Sequence, residues 1–259
     1  MPLITLITDL GTRDHYSGVV KGELLKAIPD ALIVDISHEI EPFNIIHGSF
    51  VLKNSYRHFP EGSYHLIGVN TQDEAGMPFL IVMKEEYVFI GPDNGLFGLL
   101  WDGELPEEIY RIHLEEEERK STLPMKDVYV RAVKHLSRGG NPQQIGERVT
   151  SIRLSAMGRP ITGPNNIRGS VIYFDRFENA IVNVTKDQFD HIRQGRDFVC
   201  YFKRYDDLDT VSESYFSVPE SEKLLLFNSN GYLEIAINKG NAMGLLNLNI
   251  GDIVQIEFK

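Results

Sequence analysis

Three polar clusters stand directly behind short apolar runs in the first half of the chain. They are Thr8-Asp9-Leu10-Gly11-Thr12-Arg13-Asp14, Asp35-Ile36-Ser37-His38 and Gly91-Pro92-Asp93-Asn94-Gly95. Ligand sites in open sheets form beyond the carboxyl ends of the strands, so clusters converging on one such edge carry more information than any one alone. The residue types fit several chemistries. Asp9, Asp14, His38 and Asp93 together make a carboxylate-rich donor set for the metal of a hydrolase. Asp9 and Asp35 also suit the plain role of capping the helices that follow. His38 fits a structural role, and Asp93-Asn94-Gly95 fits a tight turn. A fourth cluster, Asp175-Arg176-Phe177-Glu178-Asn179, follows the run Val171 to Phe174. It offers an Asp for ribose hydroxyls, an aromatic face for a base and an amide for a polar tail, which is the inventory of a nucleoside pocket. A turn with one core Phe accounts for the same residues. Asn228-Ser229-Asn230-Gly231-Tyr232 is a similar turn, whose backbone groups and Ser229 can read a purine edge.

The elements that must position these clusters follow from periodicity. Leu3 to Thr8, Ala31 to Asp35, Tyr64 to Val69, Phe79 to Met83 and Tyr87 to Gly91 read as strands. Tyr16 to Ile28, Asn44 to His58 and Val128 to Ser137 read as helices, closed by Pro29, Pro60 and Gly139-Gly140. Strands that are apolar throughout, alternating with helices, predict a mostly parallel sheet covered on both faces. The pattern changes near Ser155. A turn-rich stretch predicts a linker over 156–168, between an α/β domain at 1–155 and a smaller domain at 169–259. In the latter, strand signals dominate and only Lys186 to Arg193 is helical, so an antiparallel barrel or sandwich is expected.

Composition narrows the function classes. The 259 residues carry 26 Lys and Arg against 37 Asp and Glu, a net charge of −11 that argues against binding nucleic acid or anionic lipid through a basic face. One cysteine, Cys200, excludes an internal disulfide and a cysteine-rich zinc site. No apolar run reaches the roughly 20 residues of a membrane helix, and Met1-Pro2-Leu3-Ile4-Thr5 lacks the basic start of a secretory signal. A soluble, acidic, cytoplasmic protein is expected.

Taken together, the motifs resemble the superfamily of fluorinases, chlorinases and S-adenosylmethionine hydrolases (hydroxide adenosyltransferases). The matching pieces are Ile7 to Thr12 with Asp14, Val34 to His38, Phe59 to Gly62, Gly91 to Gly95, Ile172 to Phe177 with Asn179, and Asn228 to Tyr232, in family order across nearly the whole chain. The resemblance implies a seven-stranded α/β domain, a β-barrel domain and a homotrimer with a nucleoside site at the subunit interface. It implies S-adenosylmethionine as substrate or ligand, with no metal and no separate cofactor. By position, Asp9 would hold the ribose hydroxyls and Phe43 would flank the ligand. Asp175 and Asn179 would bind the methionine end, and Phe177 with Asn228, Ser229 and Asn230 would surround the adenine.

The departures matter as much. Family hydrolases carry an Asp opening an Asp-Pro-Gly-Val-Gly-Thr motif, an Arg seven residues on, and a His in a Phe-His-Gly-Arg-Asp segment. Here those positions are Asn70, Met77 and Pro124, and the small or hydroxylic residue beside the halide in halogenases falls at Met125. Glu178 replaces the usual Gly before Asn179. The candidate catalytic residues left are Asn70, which can orient a water, and Asp73, or its neighbour Glu74, as a substitute base. Three readings stand: an adenosyltransferring hydrolase of low or altered activity, a non-catalytic adenosyl-ligand binder or sensor, and a metal-dependent hydrolase using Asp9, Asp14 and Asp93.

Overall fold

A computed structural model describes residues 1–72, 76–155, 158–203 and 206–259. The chain divides into two compact units, Met1–Met157 and Gly158–Lys259.

The first unit runs β1 (Leu3–Thr8), α1 (Tyr16–Ala27), β2 (Leu32–Ser37), α2 (Ile45–Lys53), β3 (Tyr64–Gly68), β4 (Phe79–Lys84), β5 (Tyr87–Pro92), α3 (Leu96–Leu100), β6 (Glu108–Ile112), α4 (Val130–Ser137) and β7 (Gly146–Arg148). The sheet order is β2-β1-β3-β5-β4-β6-β7. Its strands are buried on both faces. Ile4, Leu6 and Leu66 pack with Val20, Leu24, Tyr129 and Val133 on one side. Ile7, Ile67 and Phe89 pack with Leu52, Leu96, Phe97 and Trp101 on the other.

The expected mostly parallel sheet is corrected here: the sheet is mixed. β1 pairs in parallel with β2 and β3, and β3 with β5, whereas β5–β4, β4–β6 and β6–β7 are antiparallel. The cause is a two-residue hairpin. Lys84 faces Tyr87 across the ladder, and the intervening Glu85 and Glu86 both have positive φ, 54° and 65°. This is the primed turn whose twist matches antiparallel strands, and a parallel pair would need a crossover of about a dozen residues.

The second unit comprises β8 (Ile161–Thr162), β9 (Asn166–Phe174), β10 (Ala180–Thr185), α5 (Lys186–Arg193), β11 (Phe198–Lys203), β12 (Asp206–Leu208), β13 (Lys223–Phe227), β14 (Tyr232–Ile237), α6 (Ala242–Leu245) and β15 (Ile253–Phe258). The order is β12-β11-β15-β9-β10-β14-β13, every neighbouring pair antiparallel, with β8 added on β9. A bridge between Val211 and Leu225 brings the chain after β12 back to β13, so the sheet nearly closes into a barrel. Phe189 of α5 plugs the interior among Phe198, Phe227 and Phe258. Among the described residues, no helix is long and apolar enough to cross a membrane.

Candidate functional site

In the first unit the site is built where β1, β3 and β5 end together. The last register pair of β1 and β3 is Thr8 with Gly68, so Asp9 and Asn70 leave the sheet side by side. Asp9 Oδ2 accepts the backbone N–H of Phe43 at 3.0 Å and that of Asn70 at 2.9 Å. Both donors sit in left-handed backbone, φ 65° and 47°. Asp9 Oδ1 has no partner among the described residues. Asn94, just past β5, donates from Nδ2 to the carbonyls of Val69 and Asn70 and accepts the Leu96 N–H at the start of α3. One buried amide therefore ties β3, β5 and α3 into a single rim. Phe43 is 74% exposed on that rim. The Asn70 carboxamide has no partner among the described residues, while its backbone serves both Asp9 and Asn94.

Neither aspartate is a helix cap. α1 has no side-chain cap, and α2 is capped by Asn44, which accepts from His47 N–H at 3.0 Å. Asp35 accepts from Lys21 Nζ at 2.6 Å and lies 3.1 Å from His38 Nε2. Burial would raise its carboxyl, but Lys21, through its hydrogen bond and charge, and the adjacent His38 outweigh that and hold it below the usual carboxylate range. His38 Nδ1 in turn contacts Thr8 Oγ1 at 2.7 Å. Asp93 Oδ1 accepts the Arg153 N–H at 2.7 Å. Asp9, Asp14, His38 and Asp93 do not gather, and among the described residues no group of three His, Cys, Asp or Glu is arranged to hold a metal ion.

Three of the positions at which the resemblance implies a departure lie in the first unit near one another in sequence or around one cavity. Met77, Pro124 and Met125 are all buried. Met77 and Pro124 line a cavity of about 510 Å³ together with Thr71, Phe79, Arg119 and Thr122. Residues Met125–Tyr129 form one π-helical turn ahead of α4, of the sort that re-aims side chains at functional sites. It sets Met125 over Gly68, where a Cβ on the glycine would overlap the thioether. Asp73 and Glu74, the candidate bases, lie outside the described residues.

The second unit gathers Asp175, Phe177 and Asn179 around a separate cavity of about 500 Å³. Asp175 Oδ1 accepts the N–H groups of Phe177 and Asn179, both at 2.9 Å, and Oδ2 accepts Asn179 Nδ2 at 3.0 Å. Glu178 between them has φ 61°, which is why a glycine suits that position. Phe177 and Phe216 are each 75% exposed on the cavity wall. Asn228, Ser229 and Asn230 do not line this cavity. They form the β13–β14 turn, with Asn228 Oδ1 accepting from Asn230 and Tyr232 N–H at 3.1 Å. Asn228 is nonetheless linked to the wall: its Nδ2 donates to Glu234 Oε2 at 3.2 Å, and Tyr215, a lining residue, donates from its hydroxyl to Glu234 Oε1 at 2.7 Å. Burial pushes the Glu234 carboxyl upward, against the lowering effect of those two bonds. Tyr215, Phe216 and Glu234 escaped the sequence reading. The available signal was a glutamate inside the apolar run Tyr232 to Ile237, 1% exposed where strand alternation would allow water.

A mixed α/β unit with a carboxylate rim and a barrel unit with an aromatic-walled cavity define a two-domain protein suited to a small ligand with polar and aromatic parts. Residues 4–146 match the SAM hydroxide adenosyltransferase N-terminal domain and residues 169–255 the SAM hydroxide adenosyltransferase C-terminal domain. The chain belongs to the SAM hydroxide adenosyltransferase family. It is 31% identical to the (R)-S-adenosyl-L-methionine hydrolase of Methanocaldococcus jannaschii, over 99% of this chain and 96% of that protein. It is 24% identical to the fluorinase of Nocardia brasiliensis, over 99% and 97%. The crystal structure of an uncharacterized conserved protein from Thermotoga maritima superposes with a TM-score of 0.87 at 27% identity, covering 98% of this chain and 99% of that one.

Proposed function

We propose that the protein binds S-adenosylmethionine and hydrolyses it to adenosine and methionine at a rate limited by poor activation of water. The observation that carries the reading is the half-satisfied Asp9 carboxylate. Oδ2 is saturated by two scaffold amides, so its position is fixed, while Oδ1, without a partner among the described residues, is left as an acceptor for a vicinal diol. In the reaction, a water oxygen attacks the ribose C5′ in line with sulfur. The C5′–O bond forms as the C5′–S bond breaks, the electron pair neutralises the sulfonium, and the extra proton of the attacking water leaves to solvent. A sulfonium needs no acid to depart, so the protein's task is to position and desolvate the nucleophile. Asn70 supports the first part: its backbone N–H binds Asp9, and its carboxamide, without a partner among the described residues, can accept from a water but cannot take a proton at neutral pH. Absence of a positioned base forgoes about 10²–10⁴-fold in rate.

A second reading, an adenosyl-ligand binder without turnover, draws on the burial of Met77, Pro124 and Met125, where the resemblance implies the family's water-handling Arg and His and its halide-side residue. Incubation with S-adenosylmethionine, following adenosine and methionine by mass spectrometry beside calorimetric titration, separates the two. Adenosine above a protein-free control supports hydrolysis, and its loss in Asp73→Ala would make Asp73 the base. Binding without product supports the binder. Neither binding nor product refutes both. The homotrimer implied by the resemblance is part of this proposal and is checked by sedimentation velocity.

A further inference from the structure

The cluster Asp35–His38 has no part in the reaction above, yet it is wired to Asp9. Thr8, one residue before Asp9, is 1% exposed and His38 4% exposed, so their polar groups depend on each other. The contacts form an ordered chain. Leu10 N–H donates to Thr8 Oγ1 at 3.3 Å, and Thr8 Oγ1 meets His38 Nδ1 at 2.7 Å. His38 Nε2 lies 3.1 Å from Asp35 Oδ1, an ion-pair distance without hydrogen-bond alignment, and Asp35 Oδ2 accepts from Lys21 at 2.6 Å. The nearby carboxylate favours the imidazole proton on Nε2 by charge, the tautomer in which Nδ1 accepts the Thr8 hydroxyl. The backbone runs the same way: Gly11 N–H donates to the His38 carbonyl at 2.7 Å and Ile40 N–H to the Thr8 carbonyl at 3.3 Å. The loops after β1 and β2 are thus clasped together, and the second loop goes on to deliver the Phe43 N–H to Asp9.

We propose that His38 is a positioning residue for Asp9: held by Asp35 and Lys21, it fixes the Thr8 corner and so aims the carboxylate and the loop amide that pins it. The proposal rests on the reading of Asp9 as the diol-binding group, but its structural half is independent of any ligand. Side-chain amides separate the two arms of the imidazole. His38→Gln places its amide near Nε2 and loses the acceptor for Thr8. His38→Asn places an oxygen near Nδ1 and restores it. Thr8→Val removes the hydroxyl at constant shape. Hydrogen exchange at the Phe43 and Asn70 amides should quicken roughly tenfold in His38→Gln and Thr8→Val, as for loss of a bond near 1.4 kcal/mol. Exchange at Leu66 and Ile81 in the core should hold, and His38→Asn should recover part of the loss. Adenosine affinity, measured by calorimetry, should fall in the same order. Unchanged exchange at both amides in folded Thr8→Val, or equal quickening at the core amides, would overturn the proposal. A wild-type protein that fails to bind adenosine refutes the diol reading instead, and the exchange result still decides the role of His38.

Discussion

Replacing Asp9 by Asn tests the core of the functional reading with little disturbance to shape. In the native site one carboxylate oxygen takes two amide N–H groups at 3.0 and 2.9 Å and the other has no partner among the described residues. An asparagine keeps this loop arrangement by turning its carbonyl oxygen toward Phe43 and Asn70, which puts its NH₂ group where Oδ1 was. The ligand side then changes from a charged acceptor to a neutral donor. Two hydroxyls donating to a carboxylate are worth about 1.5–3 kcal/mol each, and one N–H bond back to a hydroxyl oxygen returns about 1 kcal/mol. The net loss is about 3 kcal/mol, or roughly 10²-fold in Kd. Titration calorimetry with adenosine and with 2′,3′-dideoxyadenosine reads this as a cycle: the diol should matter to the wild type and much less to Asp9→Asn. A thermal melt checks that the variant is folded. If Asp9→Asn binds adenosine within threefold of wild type, or discriminates the dideoxy analogue as the wild type does, the carboxylate does not hold the diol and the reasoning fails.

Three further outcomes follow from the packing. Gly68→Ala should destabilise the first unit by about 1–3 kcal/mol through overlap with Met125, and Met125→Ala in the same chain should recover part of it; additive losses in urea unfolding would contradict the contact. His65 is fully buried, bonded to Thr5 Oγ1 at 2.7 Å, and burial lowers its pKa to about 4 from an ordinary 6.5. The unfolded chain therefore binds the extra proton first, so stability is complete above about pH 6.5 and falls by about 3 kcal/mol as pH drops to 4. His65→Phe should lose that part of the acid slope in urea titrations at several pH values; an unaltered slope would show that His65 titrates normally. Glu86→Gly should stabilise by about 1 kcal/mol, because glycine accepts the left-handed φ without a Cβ penalty; a lower urea midpoint would place the strain elsewhere.

Much of the layout was legible because burial on two faces writes itself into composition. β1 keeps the bounds read from its apolar run, and α1 ends at Ala27, ahead of Pro29. Strand direction was not legible. Lys84-Glu85-Glu86-Tyr87 contains neither Gly nor Asn, so the turn that reverses β5 against β4 gave no local sign. α3 was hidden for the opposite reason: Asn94-Gly95 reads as a turn, but Asn94 accepts the Leu96 N–H and starts a helix instead. In the site, Asp175, Phe177 and Asn179 were legible as a cluster because one short segment carries them all. Tyr215 and Glu234 were not, since their partnership spans the β13–β14 hairpin and only the fold brings them together.

Met125 and Gly68 occupy what is in effect one shared volume. That makes the order of sequence change at these two sites matter. A side chain at 68 displaces the thioether at 125, so it costs least on a background where 125 has already become small. Two substitutions that look independent on paper are therefore coupled, and the order in which they occur sets the stability of the intermediate. A library that varies this corner does best to change 125 before, or together with, 68, because a search that enlarges 68 first meets a destabilised protein at its opening step.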